Sequence, residues 1–389
     1  MSMVVALIVI VFGSVLFHLY SPWWATPLAS NWAQMDNMLT ITFVITGIFF
    51  VALNLFLVYT LIRFRHREGS RATFQTDNPK LERWLIGGTS AAIIALLAPG
   101  LFVYAEYIHA PKDALIVDVL AQQWQWRFRL SGSDGKLAAT DMRFVTPANP
   151  YGIAPTDPNG QNNLIISDGE LHLPLGKPVK MLLRSNDVLH DFFVPPFRAR
   201  MNIVPGMVSS FWFTPNKLGR FEAMCAQLCG IGHANMRAYV VVEPPADFEK
   251  WLKAQTSFAA SQHPVPNPDL TNPSLAKSDS GIAEPLSIQG KSLYLAKGCV
   301  ACHSVDGSKG VGPSWQGLYG KNESMADGTS ALVDVSYLKN FIREPSARVV
   351  KGYAPIMPKI ELTENELAAL VAYIQTLTPT TTVANKVQP

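Results

Sequence analysis

Two runs without a single charged side chain, Leu39 to Ile62 and Trp84 to Tyr104, constrain this chain more than any other feature. They are 24 and 21 residues long, and about 20 apolar residues suffice for a helix to cross a bilayer. A helix buried in a soluble core normally keeps a polar stripe, and neither run has one. Both are therefore expected to be transmembrane helices. The composition agrees: 48% hydrophobic against 16% charged over 389 residues is too apolar for disorder and high for a soluble enzyme. A net charge of +3 with no basic stripe argues against a nucleic-acid partner.

Met3 to Tyr20 forms a third, shorter apolar run. A secretory signal carries a positive n-region, whereas the first Lys or Arg of this chain is Arg63. Trp23, Trp24 and Trp32 crowd the place where a small-residue cleavage site would lie. A retained first helix is preferred over a cleaved signal, with these tryptophans as interfacial anchors. Arg63, Arg65, Arg67, Arg71, Lys80 and Arg83 lie between the two long runs. The positive-inside rule places that loop in the cytoplasm and everything after Tyr104 outside.

Beyond the membrane part the periodicity changes. Leu115 to Leu120, Trp124 to Leu130, Pro178 to Arg184, Ser209 to Thr214 and Arg237 to Glu243 are short, rich in β-branched and aromatic residues, and separated by Gly, Pro, Asn and Asp. That pattern reads as an all-β sandwich or barrel. Asp247 to Lys253 reads as a closing helix. Pro264, Pro266, Pro268, Pro273 and Pro285 mark a semi-extended linker. A last compact segment ends in a helix with Leu367, Leu370, Val371 and Ile374 at helical spacing. The expected division is a hydrophobic helix and loop (1–38), a transmembrane hairpin (39–108), a β domain (109–253), a linker (254–287), an all-α domain (288–380) and a tail (381–389).

The four cysteines fall in two close pairs, Cys225/Cys229 and Cys299/Cys302. Such spacing makes a poor disulfide framework and a good ligand or attachment pattern. Cys225, Cys229, His233 and Met236 lie within twelve residues, with His190 upstream in a loop after another strand. This is a soft ligand set that favours copper over hard cations. A single-copper electron-transfer site needs one thiolate, and here there are two. Zinc also takes Cys and His, but it has little use for Met236.

The β segment, with its helical anchor, Gln123-Trp124-Gln125-Trp126, Leu171-His172-Leu173-Pro174 and the spaced ligand set, resembles subunit II of haem-copper cytochrome c oxidases. The resemblance covers residues 39–253 and implies a cupredoxin-like Greek-key barrel holding a binuclear copper centre, CuA. It implies that Cys225 and Cys229 bridge both coppers. His190 and Met236 would complete one ion, and His233 and the backbone carbonyl of Gln227 the other. Trp124 matches the family's aromatic residue for electron transfer, while Trp126 suits the barrel core. Glu82 lies near the family's proton-channel carboxylate, or is simply a charge at a cytoplasmic helix start. Two departures stand out. The family commonly has Glu at Gln227, joining a magnesium or manganese site, and a neutral amide is a poor ligand for such an ion; no magnesium site is therefore expected. Asp191 replaces a small hydroxyl residue after His190 and is expected to change the local hydrogen bonding.

Cys299-Val300-Ala301-Cys302-His303 is the c-type haem signature, in which two thiols form thioethers and the His becomes the proximal iron ligand. A distal Met raises the potential. Met357, in Tyr353-Ala354-Pro355-Ile356-Met357-Pro358, resembles the loop that supplies it in monohaem cytochromes c; Met325, in a polar loop, is the competitor. Gly312-Pro313 resembles the turn whose Pro carbonyl orients the proximal His. His18, His66, His109, His172 and His263 read as surface or packing residues.

The whole chain thus resembles a subunit II with a fused C-terminal cytochrome c domain. The resemblance implies a multi-pass protein of the bacterial inner membrane, with the CuA and haem c domains on the periplasmic side. Its partners would be a catalytic subunit I, a subunit III, and an electron donor that is a cytochrome c or a quinol-oxidising complex. The external modules carry 14 basic and 13 acidic residues over 110–250, and 10 and 8 over 286–389, so no electrostatic patch names the donor. Two alternatives remain open at the level of sequence: a subunit of a haem-copper nitric oxide reductase, and a membrane-tethered electron shuttle without a catalytic partner.

Overall fold

A computed structural model of the chain describes residues 2–21, 26–69, 71, 77–132, 134–146, 149–167, 169–262 and 286–377. Three helices lead: α1 (Ser2–Tyr20), α2 (Ala33–Arg63) and α3 (Pro79–Ile108). All three are long and apolar enough to cross a membrane. At 1.5 Å per residue, α2 and α3 each run about 45 Å, more than the ~30 Å of a hydrocarbon core. Their apolar side chains point outward, among them Leu53, Phe56, Ile94 and Phe102. Such faces are stable only against lipid or other apolar helices.

Among the described residues, the β domain contains ten strands and three short α-helices. In chain order these are β1 (Leu115–Gln122), β2 (Gln125–Leu130), α4 (Pro158–Gln161), β3 (Leu164–Ile166), β4 (Glu170–Pro174), β5 (Val179–Ser185), β6 (His190–Val194), β7 (Ala199–Ile203), β8 (Ser209–Phe213), β9 (Gly219–Cys225), β10 (Arg237–Glu243), α5 (Pro245–Lys253) and α6 (Phe258–Gln262). They form two five-stranded sheets, ordered β3-β2-β1-β5-β8 and β4-β10-β9-β6-β7. The pairs β1/β5 and β10/β4 are parallel and the rest antiparallel. Period-two alternation sets the inner faces: Val179, Met181 and Leu183 of β5 face Ala238, Val240 and Val242 of β10 across a core filled by Phe128, Phe192 and Phe211.

β1 departs from alternation because its second face is also covered. Leu120 packs with Ala138, Tyr151, Ile153 and Phe258. Beneath that cover lies a buried ion cluster, with Asp118 bonded to Arg129 at 2.5 Å and to Arg184 at 2.9 Å. Loss of one partner would leave a buried charge, at a cost of about 3–5 kcal/mol. Phe258 sits beyond the expected domain end at 253. The packed unit continues through α6 to Gln262, because Phe258 is buried and its N–H bonds the Asn163 carbonyl at 2.7 Å. The Pro-rich stretch from Pro264 to Pro285 and the tail lie outside the described residues.

The membrane helices are fastened to the barrel rather than merely linked to it. Tyr107 of α3 accepts a hydrogen bond from the Arg200 N–H and stacks on Phe211. Arg198 donates twice to Asp36 of α2. Trp32, expected as an interfacial anchor, is instead buried at this junction. Its indole N–H donates to the Trp212 carbonyl, and its ring meets Tyr107 edge-on. An indole with a protein hydrogen-bond acceptor gains nothing from the headgroup layer. Trp23 and Trp24 lie outside the described residues.

The C-terminal unit packs α7 (Leu286–Ala296) across α9 (Glu364–Thr376), with α8 (Val335–Arg343) alongside. Gly290 allows the crossing: a Cβ there would collide with the Ala369 carbonyl oxygen and lie 2.7 Å from Tyr373 Cβ. Leu370, Val371 and Ile374 of α9 are buried with Tyr294 and Trp315. Thr363 and Glu366 close a capping box at the start of α9, and Lys297 pairs with Glu366 at 2.8 Å. The expected all-α unit also contains a small hairpin, β11 (Asn322–Ser324) with β12 (Ser330–Leu332).

Candidate functional site

Strand register brings the first cysteine pair to the upstream histidine. β6 pairs antiparallel with β9, placing Phe192 opposite Cys225, so that His190 at the start of β6 reaches the end of β9. β10 pairs with β9 from Arg237 opposite Met224, and the Cys225 N–H bonds the Met236 carbonyl. The eleven-residue excursion between Cys225 and Arg237 is thereby folded back on itself. Cys225 and Cys229 Sγ stand 3.7 Å apart as free thiols. His190 Nδ1 is 3.9 Å from Cys225 Sγ, and His233 Nδ1 is 3.5 Å from Cys229 Sγ. Met236 Sδ lies 3.9 Å from Cys229, and the Gln227 carbonyl 3.2 Å from Cys225. The donor atoms of His190, Cys225 and Cys229 all fall within 4.8 Å of one another. Two thiols flanked by imidazoles, a thioether and a carbonyl fit soft metal ions.

Electrostatics favour a cation there. Burial pushes the Cys225 thiol up, but hydrogen bonding from His190 and the main chain at Asp191 and Gln227 outweighs it and holds Cys225 at about 7. Cys229 is pushed up to about 12, first by burial and then by the neighbouring thiolate. Loss of the second proton is resisted by the first charge, and bound metal removes that penalty.

Asp187 was not singled out from the sequence, and it sets the orientation of His190. Its carboxylate oxygen lies 2.8 Å from His190 Nε2. A carboxylate only accepts, so Nε2 carries the proton and Nδ1 turns to Cys225. Burial pushes Asp187 up, yet His190 and the N–H groups of Gln123 and Val188 hold it below the usual carboxylate range. A carboxylate three residues before a candidate ligand histidine was the signal available in the sequence. Outer partners of this kind typically cost 10–100-fold in metal affinity when lost. Asp187→Ala is therefore expected to weaken copper retention by about that factor, read by competition with a chelator of known affinity.

Trp124 lies at the edge of the same loop. Its indole N–H donates to the Cys229 carbonyl at 3.1 Å, and Gln123 Nε2 donates to the same oxygen at 2.8 Å. The ring rests flat on Gly232, where a Cβ would stand 2.5 Å from it. Trp126 is buried, edge-on to Phe192, as suits a core residue. Asp191 is buried, and its carboxylate accepts from Arg200 at 3.1 Å, while its main chain bonds Cys225 and accepts from the Ala226 N–H. Gln227 contributes its carbonyl to the cluster, as described. His172 bonds Glu243 and stacks on Trp251 of α5, a packing role. Glu82 stands exposed in the first turn of α3. Nearly the whole ~45 Å of that helix separates it from the barrel, and the structure brings it to neither cysteine cluster.

The second pair opens a different site. Cys299 to Ala301 form one tight turn after α7, and the His303 ring stands beside Trp315. His303 Nδ1 lies 2.8 Å from the Pro313 carbonyl, which fixes the proton on Nδ1 and leaves Nε2 bare. Burial holds this imidazole below its ordinary value despite that carbonyl, so the ring is neutral. Cys299, Cys302, His303 and Met357 line a cleft of about 500 Å³, and His303 and Met357 also line a smaller cavity of about 90 Å³ beside Tyr353. Such a cleft, lined by two thiols, an imidazole and a thioether, fits a haem. Met325 lines neither cavity. It is buried beside Val350 rather than placed in a polar loop.

Comparison with known proteins bears on both sites. Residues 115–243 match the family model of the cytochrome c oxidase subunit II periplasmic domain, and residues 287–378 match that of cytochrome c. The chain is 51% identical over 259 residues to an alternative cytochrome c oxidase subunit 2 of Bradyrhizobium diazoefficiens, covering 67% of this chain and 94% of the relative. It is 36% identical over 156 residues to a probable cytochrome c oxidase subunit 2 of Streptomyces avermitilis, covering 36% of this chain and 49% of the relative. Among solved structures, the periplasmic domain of subunit II of the cytochrome oxidase of Bradyrhizobium japonicum is similar at 25% identity, covering 37% of this chain and 95% of that one, with a TM-score of 0.28.

Proposed function

Because the chain belongs to the cytochrome c oxidase subunit II family, we propose that it is the subunit through which electrons enter a haem-copper terminal oxidase, holding a binuclear CuA centre and a covalently attached haem c. A subunit II works within an oxidoreductase complex beside a catalytic haem-copper subunit, and this one is a membrane protein with a periplasmic domain. On this reading Cys225 and Cys229 would hold the copper pair between their sulfurs. His190 and Met236 complete one ion, and His233 and the Gln227 carbonyl the other. Cys299 and Cys302 would attach the haem, and His303 and Met357 would hold its iron. When bound, both groups supply reversible one-electron chemistry; dioxygen is reduced to water in the catalytic subunit.

The residues of this chain orient and insulate. Asp187 and the Pro313 carbonyl each hold a proton on the far nitrogen of a histidine, so that the near nitrogen presents a lone pair. Burial of the thiols and of Met236 keeps water from the copper ligands. Trp124 spans the ground between the cleft and the Cys229 carbonyl. Gln227 is neutral, so no magnesium or manganese site is proposed. The remaining partners on this reading are subunits I and III and a cytochrome c or quinol-oxidising donor, in the inner membrane of a bacterium.

What carries the reading is the pair of free thiols 3.7 Å apart, each facing an imidazole. Electron paramagnetic resonance of the purified oxidised complex tests it. The expected spectrum is one unpaired electron shared by two equivalent coppers, with two coppers and one thioether-linked haem per chain. One copper per chain, or zinc, would overturn the assignment. Consumption of dioxygen rather than nitric oxide by the same preparation, together with a copurifying large haem-bearing subunit, tests the acceptor.

A further inference from the structure

The two cofactor loops touch through one side chain. Asn235 lies between His233 and Met236, and its Nδ2 donates to the Ala301 carbonyl at 2.6 Å. Ala301 is the buried residue between Cys299 and Cys302. The haem cleft is walled on one side by Gln123, Trp124 and Gln125 of the barrel, and Asn235 lines a second cleft with Trp124, Val300 and Cys302. Ile231 of the copper loop reaches the smaller cavity beside His303 and Met357. Neither unit carries enough net charge to steer the other, as the near-balanced counts above indicate. Short-range contacts must therefore set the register between them.

We propose that Asn235 is a positioning residue for electron transfer: its amide latches the haem-attachment turn onto the copper loop and so holds the haem cleft open against Trp124. This rests on the function proposed above. The backbone carbonyl of Ala301 is an acceptor that any sequence at that position retains, so specificity lies in the donor. Because both units belong to one chain, docking is intramolecular, and one hydrogen bond shifts the docked population by about two- to tenfold. In the latched position the half-buried Trp124 lines the haem cleft.

The test uses the purified complex with both cofactors in place. The haem is reduced by a light-driven reductant, and its oxidation is followed together with reduction of the copper. Asn235→Ala and Asn235→Asp, the second nearly isosteric but without a donor, are both expected to slow haem-to-copper transfer by about two- to tenfold. The copper resonance spectrum should be unchanged in each. Amide hydrogen exchange across 296–303 should rise in both variants, a readout independent of turnover. A wild-type rate in Asn235→Asp would overturn the latch. Slowing that appears only with an altered copper spectrum would also overturn it, since Asn235 would then act on the copper ligands. If the wild-type complex transfers no electron from haem to copper, the proposed function itself falls; if it does and the variants match it, only the latch falls.

Discussion

Replacing Cys229 by serine is expected to leave a folded protein that holds no copper pair and delivers almost no electrons. Cys229 is buried, and its sulfur is in reach of Cys225, His233 and Met236. A serine hydroxyl fills nearly the same space, so the barrel has little reason to unfold. It is a hard, protonated donor at neutral pH and cannot bridge two soft ions as a thiolate does. Loss of an outer partner of a metal site already costs about 10–100-fold in affinity, and removal of a bridging ligand costs at least as much. Turnover of the complex should fall below about 1%, with at most one copper retained. Metal analysis and dioxygen uptake with an external donor check this. Two coppers and undiminished turnover in Cys229→Ser would remove the bridging assignment.

Met357→Ala is expected to affect the other end of the electron path. Met357 and His303 line the same two cavities. An axial thioether raises the potential of a haem, and axial ligands together span about 0.8 V. Its loss should abolish the weak sulfur-to-iron absorption band and lower the potential by on the order of 0.1 V. At 59 mV per tenfold for one electron, that shifts the equilibrium with the donor about fiftyfold against reduction of the haem. Met325→Ala serves as the contrast. Met325 is almost fully buried beside Val350, so its truncation should cost about 2–5 kcal/mol of stability and leave the band in place. A band that survives Met357→Ala and vanishes in Met325→Ala would reverse the assignment.

The legible features were those in which chemistry is written into local spacing. The charge-free runs from Leu39 and Trp84 correspond to α2 and α3, since lipid-crossing helices need only length and apolarity. Strands with clean alternation, such as β10, were readable to the residue. Less legible was everything that depended on a second surface. Trp32 looked like a membrane anchor because a sequence does not reveal that Trp212 and Tyr107 enclose it. Phe258 looked like linker because its partners, Tyr151 and Ile153, lie more than a hundred residues earlier.

The sequence by itself determined the candidate ligands, because a soft donor set and a haem signature are properties of residue type and short spacing. It also determined the membrane run, where period and charge are counted along the chain. Only the tertiary structure decided how those ligands are held. Asp187 fixes a histidine tautomer through a contact that depends on the loop before β6, and Asn235 joins two loops separated by 66 positions. The physical reason is range: periodicity and metal-binding motifs act within a few residues, whereas hydrogen bonds that orient a ligand are set by which strands become neighbours.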